Sequence, residues 1–267
     1  MSDLTPRLIA TDLDGTIVRS DGTISARTAA ALERVERAGA TLVLVTGRPP
    51  RWMSEITDAV DHRGLAICAN GALVYDLHTE TIVRTRLIEP DVIAEVVELL
   101  RAAVPEFTFA VEYGNGFVFE ARYNLSRWDA EALGGRPVDG ETLVSLPGTK
   151  LLAFHPSANP DSLMEKAEKA VGELVTVTHS SGRGLLEMSA QGVNKASTLA
   201  DLCADCGVLA ADVVAFGDMP NDLPMLMWAG RSYAVANAHP DVLAMVGGHT
   251  ASNNDDGVAQ VLERLFP

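Results

Sequence analysis

The 267-residue chain has only three cysteines, Cys68, Cys203 and Cys206, which cannot all pair within one chain. Cys203 and Cys206 are spaced C-x-x-C, but their surroundings read as helix. No second pair has zinc spacing, and the nearest histidines in sequence are His179 and His239. Structural or incidental thiols in a reducing cytoplasm are therefore expected. Long apolar runs are also missing. None approaches the roughly 18 residues of a membrane span. Asp12 and Asp14 interrupt the first run, so no signal-peptide pattern forms. Basic residues are scarce, 21 Lys and Arg against 36 Asp and Glu, for a formal charge of −15. Such a balance repels phosphate backbones and anionic lipid, which weighs against nucleic-acid or membrane binding. It leaves room for a small phosphorylated ligand, provided a cation or a cluster of donors receives it.

What is present is an ordinary globular composition, 47% hydrophobic and 21% charged. The length gives a prior of about two domains at roughly 150 residues each. It also supports a core that needs no disulfide or metal staple.

The hydrophobic pattern divides the chain. Leu8–Thr11 is a short apolar run stopped by the loop Asp12-Leu13-Asp14-Gly15-Thr16. A helix follows from the Ser25 cap to about Ala38, with Ala29, Leu32 and Val35 on its apolar side and Gly39 as its stop. Thr41–Val45 is a continuous β-branched and apolar run, typical of a parallel strand covered on both faces. A helix over about Arg51–Val60 and a strand over Leu65–Cys68 come next. Alternating strands and helices with short loops predict βαβ units and a parallel sheet.

From about residue 79 the pattern changes. Thr81–Leu87, Phe107–Val111 and Phe117–Ala121 alternate apolar and polar residues, as half-exposed antiparallel strands do. Helices are expected over Asp91–Ala103 and Asp161–Val171, and further strands over Lys150–Phe154, Val175–Thr178 and Leu185–Met188. After Gly192 the βαβ style returns, with a helix over Lys195–Cys206, a strand over Asp212–Phe216 and Gly217-Asp218 directly after it. A short helix over Pro224–Trp228, a strand over Ser232–Val235 and a closing helix over Val258–Phe266 complete the reading. The expected architecture is an α/β core with a Rossmann-like parallel sheet, residues 1–78 and 190–267, interrupted by an inserted α+β domain, residues 79–189.

In open α/β sheets ligands bind beyond the carboxyl ends of the strands. Asp12 and Asp14, Thr46-Gly47-Arg48, Asn70-Gly71 and Gly217-Asp218 all stand at such ends. One such cluster reads as a cap or turn; four converging clusters read as a common site. Asp218, Asn221 and Asp222 add oxygen ligands to those of Asp12 and Asp14. Carboxylates so crowded repel unless a cation neutralises them. Hard oxygen donors without a His or Cys set point to Mg²⁺. Lys195 at a helix start, the Thr46 hydroxyl and loop N–H groups supply donors for a phosphoryl group.

These residues resemble the haloacid dehalogenase superfamily. Asp12-Leu13-Asp14-Gly15-Thr16 is similar to motif I, D-x-D-G-T, and Thr46 to motif II. Lys195 in Gly192-Val193-Asn194-Lys195 is similar to motif III, and Gly217-Asp218-Met219-Pro220-Asn221-Asp222 to motif IV, G-D-x-x-N-D. Order and spacing agree along the whole chain, and the insert between motifs II and III resembles the type IIB cap of the Cof-like sugar-phosphatase group. The resemblance implies a Mg²⁺-dependent phosphatase acting on a small phosphorylated metabolite, such as a sugar phosphate, through an aspartyl-phosphate.

Within that resemblance Asp12 is the nucleophile and Asp14 the acid and base. Thr46 binds the transferring group, and Lys195 orients Asp12. The metal is held by Asp12, the Asp14 carbonyl and Asp218, while Asp222 and Asn221 hold metal-bound water or complete the phosphate pocket. Gly47, Asn70, Gly71 and Asn221 are candidate phosphate or substrate contacts, with a plain structural turn as the competing role for Asn70-Gly71. Arg48 holds the motif II loop or reaches substrate, and Asn237 closes the pocket rim. Substrate choice is expected in the insert, with the segment Arg122–Trp128 as candidate contacts. Asp14 separates this chain from the dehalogenases, whose leaving group needs no proton. A phosphomutase or phosphotransferase shares Asp12 and Asp14, and a non-catalytic ligand sensor is a third reading. The expected state is a cytoplasmic monomer or homodimer.

Overall fold

A computed structural model describes residues 5–61, 64–114, 116–123, 135–180 and 184–267. The chain separates into two compact units, one running up to Arg84 and resuming at Lys195–Pro267, the other covering Thr85–Asn194.

The first unit opens with β1 (Leu8–Asp12), buried along its whole length as its unbroken apolar run requires. Helix α1 (Ala26–Arg37) starts where the Ser25 hydroxyl accepts from the Thr28 N–H, and it buries Thr28, Ala31, Leu32 and Val35. Ala29, expected on that side, is only half-buried. Strand β2 (Thr41–Val45) follows. The helix expected over 51–60 is split. Pro49 and Pro50 allow a 3-10 turn at Pro50–Trp52 before α2 (Ser54–Ala59) begins. Strand β3 (Leu65–Cys68) ends in a tight turn from which β4 (Leu73–Asp76) returns antiparallel, and β5 (Thr81–Thr85) follows. The sequence pattern put β5 in the insert, but it forms the edge of the first unit's sheet beside β4. Its alternating burial is that of an edge strand with one face covered.

The second unit begins with α3 (Pro90–Ala103), where Ile93, Val96, Val97 and Leu100 form one buried stripe. Next come β6 (Thr108–Tyr113), β7 (Gly116–Glu120), β8 (Gly135–Val138), α4 (Gly140–Val144) and β9 (Lys150–Phe154). Helix α5 (Pro160–Val171) is capped by Asn159, and β10 (Val175–Thr178) and β11 (Leu185–Ala190) complete the unit. The six strands lie in the order β10-β11-β9-β6-β7-β8. One sheet face shares an apolar cluster with α3, α4 and α5. The alternating pattern predicts a solvated opposite face, yet Ala110, Phe117, Phe119, Tyr123 and Leu152 cluster there and are buried. Glu112 and Lys150 on paired strands, with Glu187, are buried too. Of the candidate contacts at 122–128, Tyr123 packs edge-on against Phe117 and Phe154. Residues 124–128 lie outside the described residues.

The chain re-enters the first unit with α6 (Lys195–Asp205), β12 (Val213–Gly217), α7 (Leu223–Trp228) and β13 (Arg231–Val235). It closes with α8 (Pro240–Met245), β14 (Gly248–Thr250) and α9 (Gly257–Leu265). The eight strands run β14-β13-β12-β1-β2-β3-β4-β5, and all pairs from β14 to β3 are parallel. Strand β1 is thus flanked by β2 and β12, and the crevice beyond its carboxyl end is where Asp12 stands. Among the described residues, no helix is long and apolar enough to cross a membrane. Cys203 is buried, and burial with neighbouring Cys206 pushes its thiol up to about 11, far from a reactive thiolate.

Candidate active site

Asp12 is the last residue of β1 and Lys195 the first of α6, and both are buried. Lys195 Nζ donates to Asp12 Oδ1 at 2.7 Å and to Asp222 Oδ1 at 2.5 Å. The other Asp222 oxygen accepts from the backbone N–H groups of Asp218 and Met219, each at 3.0 Å. This closes the turn after β12. Gly217 is required there, because a Cβ at that position would lie 2.6 Å from the Asp222 Cβ. Asp218 accepts from the Thr16 hydroxyl at 3.1 Å, so motifs I, III and IV are joined by charge-assisted hydrogen bonds.

The electrostatics follow from this crowding. Burial, and then the Asp222 charge, push the Asp12 carboxyl up to about 7 against the pull of Lys195. Burial, followed by Asp12 and Asp222, pushes Asp218 up to about 9. Burial alone would lower the Lys195 ammonium, but Asp12 and Asp222 outweigh it and hold it above its ordinary value.

Asp12, Asp218 and Asp222 each offer a carboxylate oxygen within 4.8 Å of the others. Ionised together, as metal ligands must be, the three carboxylates against one ammonium would leave two negative charges unbalanced. A divalent cation would supply the matching charge, and an all-oxygen donor set suits Mg²⁺. The residues present therefore fit such an ion.

Asp14 is placed differently. Its side chain is 55% exposed and its two oxygens are gripped by Arg48, Nε to Oδ2 at 2.8 Å and Nη2 to Oδ1 at 2.5 Å. Thr46, at the end of β2, is buried, and its hydroxyl accepts from the Arg48 N–H at 3.0 Å. Gly47 is half-buried beside it.

Asn70 and Asn221 meet, Asn221 Nδ2 donating to Asn70 Oδ1 at 3.1 Å, both buried. Asn70 stands in a strained turn. Ala69, Asn70 and Gly71 have φ of 49°, 56° and 108° in succession. The Gly71 carbonyl is taken by the Thr198 hydroxyl of α6 at 2.7 Å, which gives it an anchoring role. Asn237 donates to the Gly15 carbonyl at 2.8 Å and so braces the motif I loop.

Sequence reasoning missed the roles of Thr16, Thr198 and, for Asp14, Arg48. Thr16 carried a signal, as the last letter of the D-x-D-G-T string. Thr198 carried none, one hydroxyl on a helix among several.

The sequence matches the haloacid dehalogenase-like hydrolase family over residues 9–262. The chain belongs to that family. It is 27% identical over 272 residues to the 5-amino-6-(5-phospho-D-ribitylamino)uracil phosphatase YitU of Bacillus subtilis, covering 98% of each chain. To the HMP-PP phosphatase of Cronobacter sakazakii it is 28% identical over 242 residues, covering 89% of this chain and 87% of the relative. Its fold is shared with the HAD subclass IIB sugar phosphatase BT4131, with a TM-score of 0.83 over 97% of this chain and 98% of that one, at 18% identity. The chain is thus a hydrolase of this family with the subclass IIB fold, and the relatives with named activities here are phosphatases.

Proposed function

We propose that this protein is a Mg²⁺-dependent phosphatase that hydrolyses a small phosphomonoester through a phosphorylated Asp12. The observation that carries the reading is the position of Lys195 between Asp12 and Asp222. It holds the Asp12 carboxylate in one orientation while leaving its second oxygen free of the lysine. A carboxylate so fixed at the end of β1, and ionised once a cation stands beside it, would be a nucleophile for in-line attack on phosphorus.

Asp12, the Asp14 carbonyl and Asp218 would hold the ion, with Asp222 beside them. When bound it supplies positive charge against the phosphoryl oxygens. The Thr46 hydroxyl hydrogen-bonds the transferring group, together with the loop N–H at Gly47. The Asn70–Asn221 pair closes the polar side of the pocket. Asp14 protonates the leaving oxygen, then takes a proton from the water that attacks the Asp12 acyl phosphate. The second unit, Thr85–Asn194, acts as the cap that selects the leaving group. The named relatives act on a ribitylamino-uracil phosphate and on HMP-PP, and BT4131 is called a sugar phosphatase. That spread supports a polar organic phosphate as the substrate class.

Phosphate release from a panel of phosphorylated metabolites, with and without Mg²⁺, tests the reading beside Asp12→Asn. Turnover that needs both the metal and Asp12 is expected. Release that survives Asp12→Asn would sink the covalent route, and sugar-position transfer without hydrolysis would favour a mutase.

A further inference from the structure

Asp12 and Asp14 are two residues apart yet live in opposite surroundings. The Asp12 side chain is 7% exposed, within the buried cluster of Lys195 and Asp222. The Asp14 carboxylate lies outside that cluster, in the two-pronged grip of the Arg48 guanidinium. The guanidinium is itself anchored. Its Nη1 donates to the Trp52 carbonyl at 3.4 Å, the Arg48 N–H donates to Thr46 Oγ1, and the Arg48 carbonyl accepts from the Ala69 N–H at 3.0 Å. The motif I loop is tied in turn, with the Leu13 carbonyl accepting from the N–H groups of Thr16, Ile17 and Val18. Both ends of the Arg48–Asp14 pair are therefore fixed to backbone, and the pair sets the direction of the Asp14 carboxylate.

We propose that Arg48 is a positioning residue for the proton donor Asp14, an inference that rests on the phosphatase reading above. The alternative is a loop clamp with no part in proton transfer. Magnitudes separate the two. With side chains 20% and 55% exposed, the pair adds little to stability. Orientation of a proton donor, by contrast, acts on rate with large leverage. A lysine in place of Arg48 keeps the charge and loses the planar fork that grips both oxygens. In the step concerned, the Asp14 O–H bond breaks and its proton goes to the leaving oxygen, which takes the electron pair of the breaking P–O bond. A nitrophenolate leaves without that proton, whereas an alkoxide does not.

The experiment compares kcat/KM, which reports steps up to leaving-group departure, for p-nitrophenyl phosphate and for the best alkyl phosphate of the metabolite panel. Enzymes are wild type, Arg48→Ala, Arg48→Lys, Asp14→Asn and the Arg48→Ala/Asp14→Asn double variant, each with its melting temperature. Both Arg48 variants should lose about 10²-fold on the alkyl phosphate, the usual scale of general-acid catalysis, and far less on the aryl phosphate. In the Asp14→Asn background the Arg48 change should add almost nothing, because the two act as one unit. Equal losses on both substrates, or losses that multiply with Asp14→Asn, overturn the assignment while leaving the phosphatase reading intact. A wild-type enzyme that releases no phosphate from any compound overturns that reading, and this one with it. Should Arg48→Ala fail to fold, Arg48→Lys gives the same comparison.

Discussion

Gly15 lies so close to Asp218 that a Cβ on the glycine would come within 2.3 Å of Asp218 Oδ2. Gly15 also has φ of +82°, which L side chains rarely adopt. One residue thus serves two ends, turning the motif I loop and letting backbone approach the carboxylate of motif IV. Gly15→Ala should cost about 1–3 kcal/mol from the backbone alone. It should also displace Asp218 and raise the Mg²⁺ requirement. Urea unfolding with and without Mg²⁺ reads both effects. A variant of normal stability and normal metal response would mean that the loop yields without disturbing Asp218.

Lys195 offers a test of charge rather than space. Its ammonium is the buried counter-charge for Asp12 and Asp222. Lys195→Met leaves both carboxylates facing each other without it, and breaking a buried pair costs about 3–5 kcal/mol. The metal-free variant should therefore be strongly destabilised, and Mg²⁺ should recover part of the loss while turnover stays low. Equal stability of Lys195→Met and wild type without metal would show that the lysine is not the buried counter-charge on which the two carboxylates depend.

The raised carboxyls predict a direction with pH. Asp12 and Asp218 titrate near 3.8 when unfolded and at about 7 and about 9 in the metal-free fold, with burial the largest cause for both. Protons are therefore held more tightly by the folded state. Their favourable contribution is complete below about pH 3.8 and is lost as pH rises through 7 and then 9. Metal-stripped protein should melt at progressively lower temperature from pH 5 to pH 9. The rise in melting temperature given by Mg²⁺ should grow over the same range. At a hundredfold excess over Kd a ligand adds about 2.7 kcal/mol. Asp218→Asn should flatten the upper part of the slope, and an unchanged slope would mean that other groups carry it.

Much of this was legible in the sequence because parallel strands advertise themselves. Leu8–Thr11 and Thr41–Val45 are unbroken apolar runs, and each ends at the polar residue that the site uses. Asp12, Asp218, Asp222 and Lys195 could be picked out since each stands at a strand end or helix start, where chain geometry dictates direction. The failures have physical causes. Strand β5 alternates like an antiparallel strand of the insert, but it is the edge of the larger sheet, and period alone does not tell which sheet a strand joins. Strand β14 spans three residues, too few for a period to show, and β8 carries Gly135 and Pro137 within its four, residues that argue against a strand. Pairings such as Arg48 with Asp14 and Thr198 with Gly71 depend on side-chain reach across elements, and nothing in local pattern encodes them.

Asn70 can separate backbone from side chain at the turn after β3. Its φ of 56° suits glycine and is tolerated by asparagine, while its amide oxygen accepts from Asn221. Asn70→Gly and Asn70→Ala both remove the amide, but only alanine is left with the left-handed strain, about 1–2 kcal/mol. Asn70→Ala should therefore be the less stable of the two by roughly that amount. If the amide lines the phosphate pocket, both variants should lose turnover to the same degree once each is measured well below its melting temperature. A glycine variant as active as wild type, beside an impaired alanine one, would assign Asn70 to the turn alone and leave Asn221 as the amide that meets the substrate.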